Sequence, residues 1–176
     1  VPMVLALLRY LLVLENGEAL YPAMLEAIAQ ARHKVLLYTY LFDRDNTGAQ
    51  FVDALCAARD RGLEVKVIID GMGEWLSAGR IGPVLKKCGL EFTRFNPVTL
   101  YPPALNLNLR SHRKILVIDG RIGFTGGLNI REGHDARFNP THPIQDHHFR
   151  IEGPVVAQLQ EVFVEDWAYC AAEELE

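Results

Sequence analysis

Ser111-His112-Arg113-Lys114-Ile115-Leu116-Val117-Ile118-Asp119-Gly120-Arg121-Ile122-Gly123-Phe124-Thr125-Gly126-Gly127-Leu128-Asn129 is the stretch on which the reading turns. Its apolar run, Ile115 to Ile118, suits a strand buried on both faces. Asp119-Gly120 is a two-residue hairpin signal. With those two as the turn, Ile118 is expected opposite Arg121, Lys114 opposite Thr125, and His112 opposite Gly127. Side chains two apart share a strand face, so His112 and Lys114 point the same way. The return strand carries Asn129 back beside them. Gly126 and Gly127 give up side chains where another backbone or a substrate approaches closely.

The result is a set of phosphate-handling groups on one hairpin. A phosphodiester resists attack because its oxygens carry negative charge. A site for it combines a nucleophile, a cation and hydrogen-bond donors. His112 offers the imidazole, Lys114 the point charge and Asn129 the amide donor. The set occurs once in 176 residues.

This pattern resembles the HKD motif of the phospholipase D superfamily. Within it, the chain is most similar to the N-terminal half of a bacterial cardiolipin synthase. Glu18 to Ile28 resembles the family's first helix, Tyr38 to Phe42 its second strand and Val65 to Gly71 its third. Arg110 to Lys114, Phe124 to Ile130, Phe149 to Val156 and Trp167 extend the likeness, which covers about residues 10 to 172.

The resemblance implies an α/β fold with a mixed β-sheet sandwiched between helices. It implies phosphodiester transfer through a phosphohistidine on His112, with no metal and no cofactor. Asp146 matches the position of the carboxylate that orients the imidazole, and Asp119 belongs to the motif as an arranging residue. Gly126, Gly127 and Arg110 are the substrate-binding candidates. Where family members often carry a Glu, this chain has Tyr38. The implied substrate is a phospholipid resembling phosphatidylglycerol, and the implied parent protein is associated with the bacterial inner membrane.

Once bonded to phosphorus, His112 cannot also protonate the leaving alcohol, so a separate acid is required. The implied partner is a second HKD half from the same parent chain or a homodimer mate. Two alternatives remain open at this level. One is a homodimeric single-HKD phosphodiesterase or endonuclease, and the other a catalytically incomplete half-domain.

Composition agrees with one globular domain over residues 1–176, with 49% hydrophobic and 23% charged residues. A net charge of −4 and a pI near 5.9 argue against broad nucleic-acid binding, and no nucleic-acid partner is expected. A local basic cluster of Arg110, Arg113, Lys114 and Arg121 is expected to attract one anionic group. Cys56, Cys88 and Cys170 read as reduced thiols. His134, His142, His147 and His148 match no ligand spacing for a metal. The apolar run Val1 to Leu14 is too short to cross a bilayer and lacks the marks of a signal peptide. A start at Val1 without Met reads as an excised piece of a longer protein.

Strand and helix signals alternate, as in α/β proteins. Strands are expected at Tyr10–Leu14, Val35–Phe42, Glu64–Asp70, Glu91–Phe95, Lys114–Asp119 and Gln145–Glu152. Helices are expected at Leu20–Ala31, Ala49–Arg61 with Thr47 as cap, Ile81–Cys88 and Val155–Ala172. Gly71-Met72-Gly73 after a strand mimics a dinucleotide loop but lacks the third glycine. The proline-bearing loop from Asn96 to Arg110 leads into His112, as a lid or substrate wall. Its apolar residues Val98, Leu100, Tyr101, Leu105, Leu107 and Leu109 suit either acyl chains or packing on the domain. Arg131 to Gln145 is a second polar loop.

Overall fold

Val35, Leu36, Leu37 and Tyr38 are all at most 2% exposed, so apolar side chains on both faces of their strand must be covered. The computed structural model shows how, over residues 8–98, 110–138, 144–173 and 175. The strands are β1 (Tyr10–Glu15), β2 (Lys34–Thr39), β3 (Glu64–Asp70), β4 (Glu91–Phe95), β5 (Ile115–Ile118), β6 (Ile122–Gly126) and β7 (His147–Glu152). They form one seven-stranded sheet in the order β1-β7-β6-β5-β2-β3-β4. Strands β2, β3 and β4 run parallel, and the remaining neighbours pair antiparallel.

Helices α1 (Asn16–Gln30), α2 (Asn46–Asp60), α3 (Gly71–Leu76), α4 (Gly82–Lys87) and α5 (Val155–Ala171) cover the sheet. Leu20, Met24 and Ile28 of α1 and Phe51 and Leu55 of α2 pack with Val35, Leu37, Val67 and Leu116. On the other face Phe163 and Trp167 of α5 pack with Leu36, Tyr38, Ile68 and Val117. Each such large apolar side chain contributes roughly 1.5–3 kcal/mol by leaving water. The mixed sheet between helices is the architecture expected from the sequence.

Three local expectations shift. The helix over residues 46–60 is capped by Asp45, whose carboxylate accepts the Gly48 N–H at 2.8 Å; Thr47 lies inside the first turn. The first helix begins at Asn16, four residues earlier than its apolar spacing suggests. The third shift is in the hairpin. Asp119 and Gly120 both take positive φ (53° and 64°), and Arg121 N–H donates to Ile118 O at 2.9 Å, so the two-residue turn is present. The ladder beyond it is nevertheless offset, with Ile118 paired to Ile122 and Ile115 to Thr125. Arg121 and Ile122 both face Ile118, the arrangement of a β-bulge, which places one extra residue on the return strand. Lys114 and His112 precede β5 and do not pair with Thr125 and Gly127.

Candidate active site

All the parts that meet at His112 lie at one end of the sheet. They follow the carboxyl ends of β2, β3 and β6 and precede β5 and β7, the end at which open α/β sheets present ligand crevices. Backbone anchors fix the approach to β5. Asp70, fully buried at the end of β3, accepts the Ser111 N–H at 3.0 Å with one carboxylate oxygen. Its other oxygen caps α3 by accepting Met72 N–H at 2.9 Å and Gly73 N–H at 3.0 Å. Arg113 forms an ion pair with Asp166 of α5. Arg110 donates to Asn96 O at 2.7 Å. Of the loop from Asn96 to Arg110, residues 99–109 lie outside the described residues, so its lid role and most of its apolar members do as well.

The exposed His112 ring stacks on Tyr40, with centroids 4.2 Å apart and planes 20° from parallel. Lys114 Nζ lies 5.5 Å from the centre of the same Tyr40 ring and donates to His112 O at 2.8 Å. One aromatic face thus gathers the imidazole and the ammonium. Tyr40 is itself held because Gly73 has no side chain: a Cβ there would come 1.7 Å from Tyr40 O. At Gly71 it would come 2.6 Å from Pro97 Cα. The two glycines that imitate a dinucleotide loop are therefore packing glycines.

Asn129 reaches the site with its amide orientation fixed. Leu41 N–H points at the side chain from 3.1 Å, and only the oxygen can accept it. The NH2 end is thereby turned away from Leu41, free to donate elsewhere. The Tyr21 hydroxyl donates to the Asn129 carbonyl at 2.7 Å and lies 2.9 Å from that of Arg131, tying α1 to this turn.

Gly126 and Gly127 are filled spaces. A Cβ on Gly126 would lie 2.5 Å from His147 O, and one on Gly127 would lie 2.1 Å from the Asp146 carboxylate. Gly126 thus admits the backbone at the start of β7, and Gly127 the side chain of Asp146. Asp146 exchanges two bonds with Asn16, through Asn16 N–H to Asp146 O (3.0 Å) and Asp146 N–H to Asn16 Oδ1 (3.1 Å). Its carboxylate accepts His147 N–H at 2.7 Å and makes no hydrogen bond to His112. Its charge instead bears on Lys114, His134 and His148. Burial pulls the Lys114 pKa below its ordinary value, and Asp146 opposes that pull.

Asp119 lies apart from this group. Its carboxylate accepts N–H bonds from Arg32 (2.9 Å), His33 (2.8 Å) and Lys34 (2.9 Å) at the far end of β5. Five residues of extended chain put it roughly 16 Å from Lys114. Partial burial alone would raise its pKa, but the three N–H bonds outweigh that and hold the carboxyl below its usual range. Asp119→Ala is expected to cost about 1–3 kcal/mol in a urea denaturation. Its turnover should fall only in step with the folded fraction; a fully folded variant with lost turnover would return Asp119 to the chemistry. Arg121 is at that far end too, and Arg113 is neutralised by Asp166, so neither adds the free charge beside Lys114 that the sequence suggests.

Behind Lys114 lie two buried imidazoles, His134 and His148, each with an unpartnered Nδ1. Among the described residues, no group of three or more His, Cys, Asp or Glu side chains is placed to hold a metal; His142 lies outside them. Burial pushes His148 down to about 4, against the pull of Asp146 and with the push of Lys114. An unfolded His titrates near 6.5, so the neutral ring favours the folded chain. That contribution is complete above about pH 6.5 and is lost as pH falls toward 4, up to roughly 3 kcal/mol. Urea midpoints at about pH 7.5 and about pH 4.5 should therefore separate more for wild type than for His148→Gln; equal separations would refute it.

Comparisons with known proteins converge. The profile of a family described as "Cardiolipin synthase, PLD-like domain" matches residues 24–167. "Cardiolipin synthase B" of Salmonella typhimurium is 41% identical over 155 residues, spanning 87% of this chain and 37% of that protein. "Cardiolipin synthase 1" of Bacillus anthracis is 34% identical over 159 residues, 90% of this chain and 31% of that protein. The chain thus spans about a third of the length of the curated relatives it matches. Among solved structures, the phospholipase D family member Nuc from Salmonella typhimurium superposes with a TM-score of 0.69 at 19% identity, covering 95% of this chain and 98% of that one. A phosphatidylserine synthase of Haemophilus influenzae Rd KW20 gives 0.72 at 17% identity, covering 92% and 38%. At these identities the structures speak for the fold.

Proposed function

Because this chain belongs to the cardiolipin synthase, PLD-like domain family, we propose that it supplies one half of a phosphatidyl-transferring site with His112 as nucleophile. The observation that carries this reading is the convergence of His112 and Lys114 on Tyr40, with Asn129 presented from the neighbouring turn.

A neutral imidazole nitrogen of His112 attacks the phosphorus of a phospholipid such as phosphatidylglycerol. The P–N bond forms as the P–O bond to the leaving alcohol breaks. Lys114 and the Asn129 NH2 hold the non-bridging oxygens, on which charge builds. Asp146 sustains the Lys114 ammonium against burial. The leaving alkoxide takes its proton from an acid outside this motif. That same group then deprotonates an acceptor alcohol, whose oxygen forms a new P–O bond and releases His112. The acid belongs to a second motif, on a further part of the parent chain or on a second copy of this one. The parent works at a membrane, where its lipid substrate resides; no helix among the described residues is long and apolar enough to cross one.

The test is chemical trapping. The protein, acting with its second motif, is quenched during turnover of phosphatidylglycerol and digested for mass spectrometry. A phosphatidyl adduct on the peptide bearing His112 is expected. An adduct on another residue, or cleavage of DNA far outpacing lipid turnover, overturns the reading.

A further inference from the structure

One concavity among the described residues is remote from His112. It is an open groove of about 880 Å³ at the far end of the sheet. The turn at Asp119 and Arg121 forms its floor. Arg32, just after α1, stands on one side, and Arg9, Arg150 and Glu152 on the other. Four arginines thus line one hollow in a chain whose net charge is −4.

Two carboxylates, Asp119 and Glu152, line the same groove, so four cations stand against two anions. Both oxygens of Asp119 are occupied by the backbone N–H groups of Arg32, His33 and Lys34. Glu152 answers one of the four, accepting from Arg150 Nη2 at 2.9 Å. Arg150 Nε is buried without a partner. The side chains of Arg9, Arg32 and Arg121 make no hydrogen bond or ion pair among the described residues. Even α1 presents little opposing charge here, because Arg61 covers its last carbonyls, donating to Ile28 O (2.9 Å) and lying 3.4 Å from Ala31 O.

A surplus of cations in a concave wall concentrates anions, and the planar fork of Arg matches the oxygens of a phosphate. The volume is that of a small-molecule site and holds a glycerophosphate. The separation of roughly 16 Å along the hairpin means that no single phosphate bridges this groove and Lys114. We propose that the groove is a second phosphate-binding site, taking a phosphate ester headgroup, free or at a lipid surface, with no contact to His112.

The test follows backbone amide shifts by NMR during titration with glycerol phosphate, alongside sedimentation with phosphatidylglycerol or phosphatidylcholine vesicles. Saturable shifts of Gly120, Arg121 and Gly153 are expected, distinct from any at Lys114 and Asn129. The double variant Arg32→Glu/Arg121→Glu should weaken the groove response at least tenfold while the response at Lys114 stays as in wild type. Should that variant misfold, Arg9→Gln/Arg121→Gln removes charge without adding any. Shifts with glycerol phosphate alone assign a soluble ligand. Binding to phosphatidylglycerol vesicles alone, lost in the variant, assigns a lipid headgroup. Groove amides unmoved by either ligand, or binding unchanged in both variants, overturn the proposal. Each of these outcomes is independent of the chemistry assigned to His112.

Discussion

His112→Asn, assayed with the half or copy that bears the second motif, is expected to lower phosphatidyl transfer by at least roughly a thousandfold. Asn is flat and polar and can still rest on Tyr40, so the surroundings should survive. What it lacks is a nitrogen lone pair able to bond to phosphorus. The loss should appear in kcat, because Lys114 and Asn129 still bind the phosphate oxygens. Initial rates of cardiolipin-type product from phosphatidylglycerol vesicles measure it. Activity within about tenfold of wild type would remove His112 from the nucleophile's role.

The second large effect is expected at a residue with no place in the motif. Asp70→Ala would strip acceptors from Met72, Gly73 and Ser111 N–H groups, and the bonds at Gly73 and Ser111 are buried. A buried donor left unmet costs about 1–3 kcal/mol, so a loss of roughly 3–5 kcal/mol in urea denaturation is expected. Asp70→Asn is the more informative change. Its oxygen can still cap α3, but its NH2 would confront the Ser111 N–H, donor against donor. The segment carrying His112 and Lys114 would then move. A fall in kcat of about tenfold or more is expected with only about 1–2 kcal/mol of stability lost. If kcat were unchanged in that variant, Asp70 would be a helix cap and nothing more.

The two kinds of residue differ in how readable they are. β3 and β4 fall where their apolar and β-branched residues place them, because their period and their flanking breakers are local. The cap of α2 expected from the sequence is Thr47, a residue type that caps helices, but Asp45 takes the role because its carboxylate reaches the Gly48 N–H. The Asp-Gly turn was legible too. The bulge after it was not, because Arg121 fits either alignment of the return strand.

At the site, His112, Lys114 and Asn129 were visible through their spacing. Asp70, Tyr40 and Tyr21 were not, because their contacts join residues 41, 72 and 108 positions apart and leave no periodic trace. One signal pointed to Asp70: an Asp closing a strand just before a glycine-initiated helix is a capping pattern. Asp119 shows how sequence spacing and spatial distance differ. Its fixed distance from Lys114 in sequence invited a shared role, whereas the rise of an extended strand carries the two apart.

The extra residue in the hairpin has a bearing on how this fold tolerates changes in length. Arg121 stands outside the ladder, so deleting it would leave Ile118 facing Ile122 and every later pair undisturbed. Removing any residue from 122 to 126 would instead slip the strand by one, exchanging the faces to which its side chains point and drawing the double glycine away from Asp146. Shortening is harmless to the ladder at one position and ruinous a step beyond it. Since the position that the ladder can spare also lines the arginine groove, the rear of the molecule is open to evolutionary revision while the front stays in alignment.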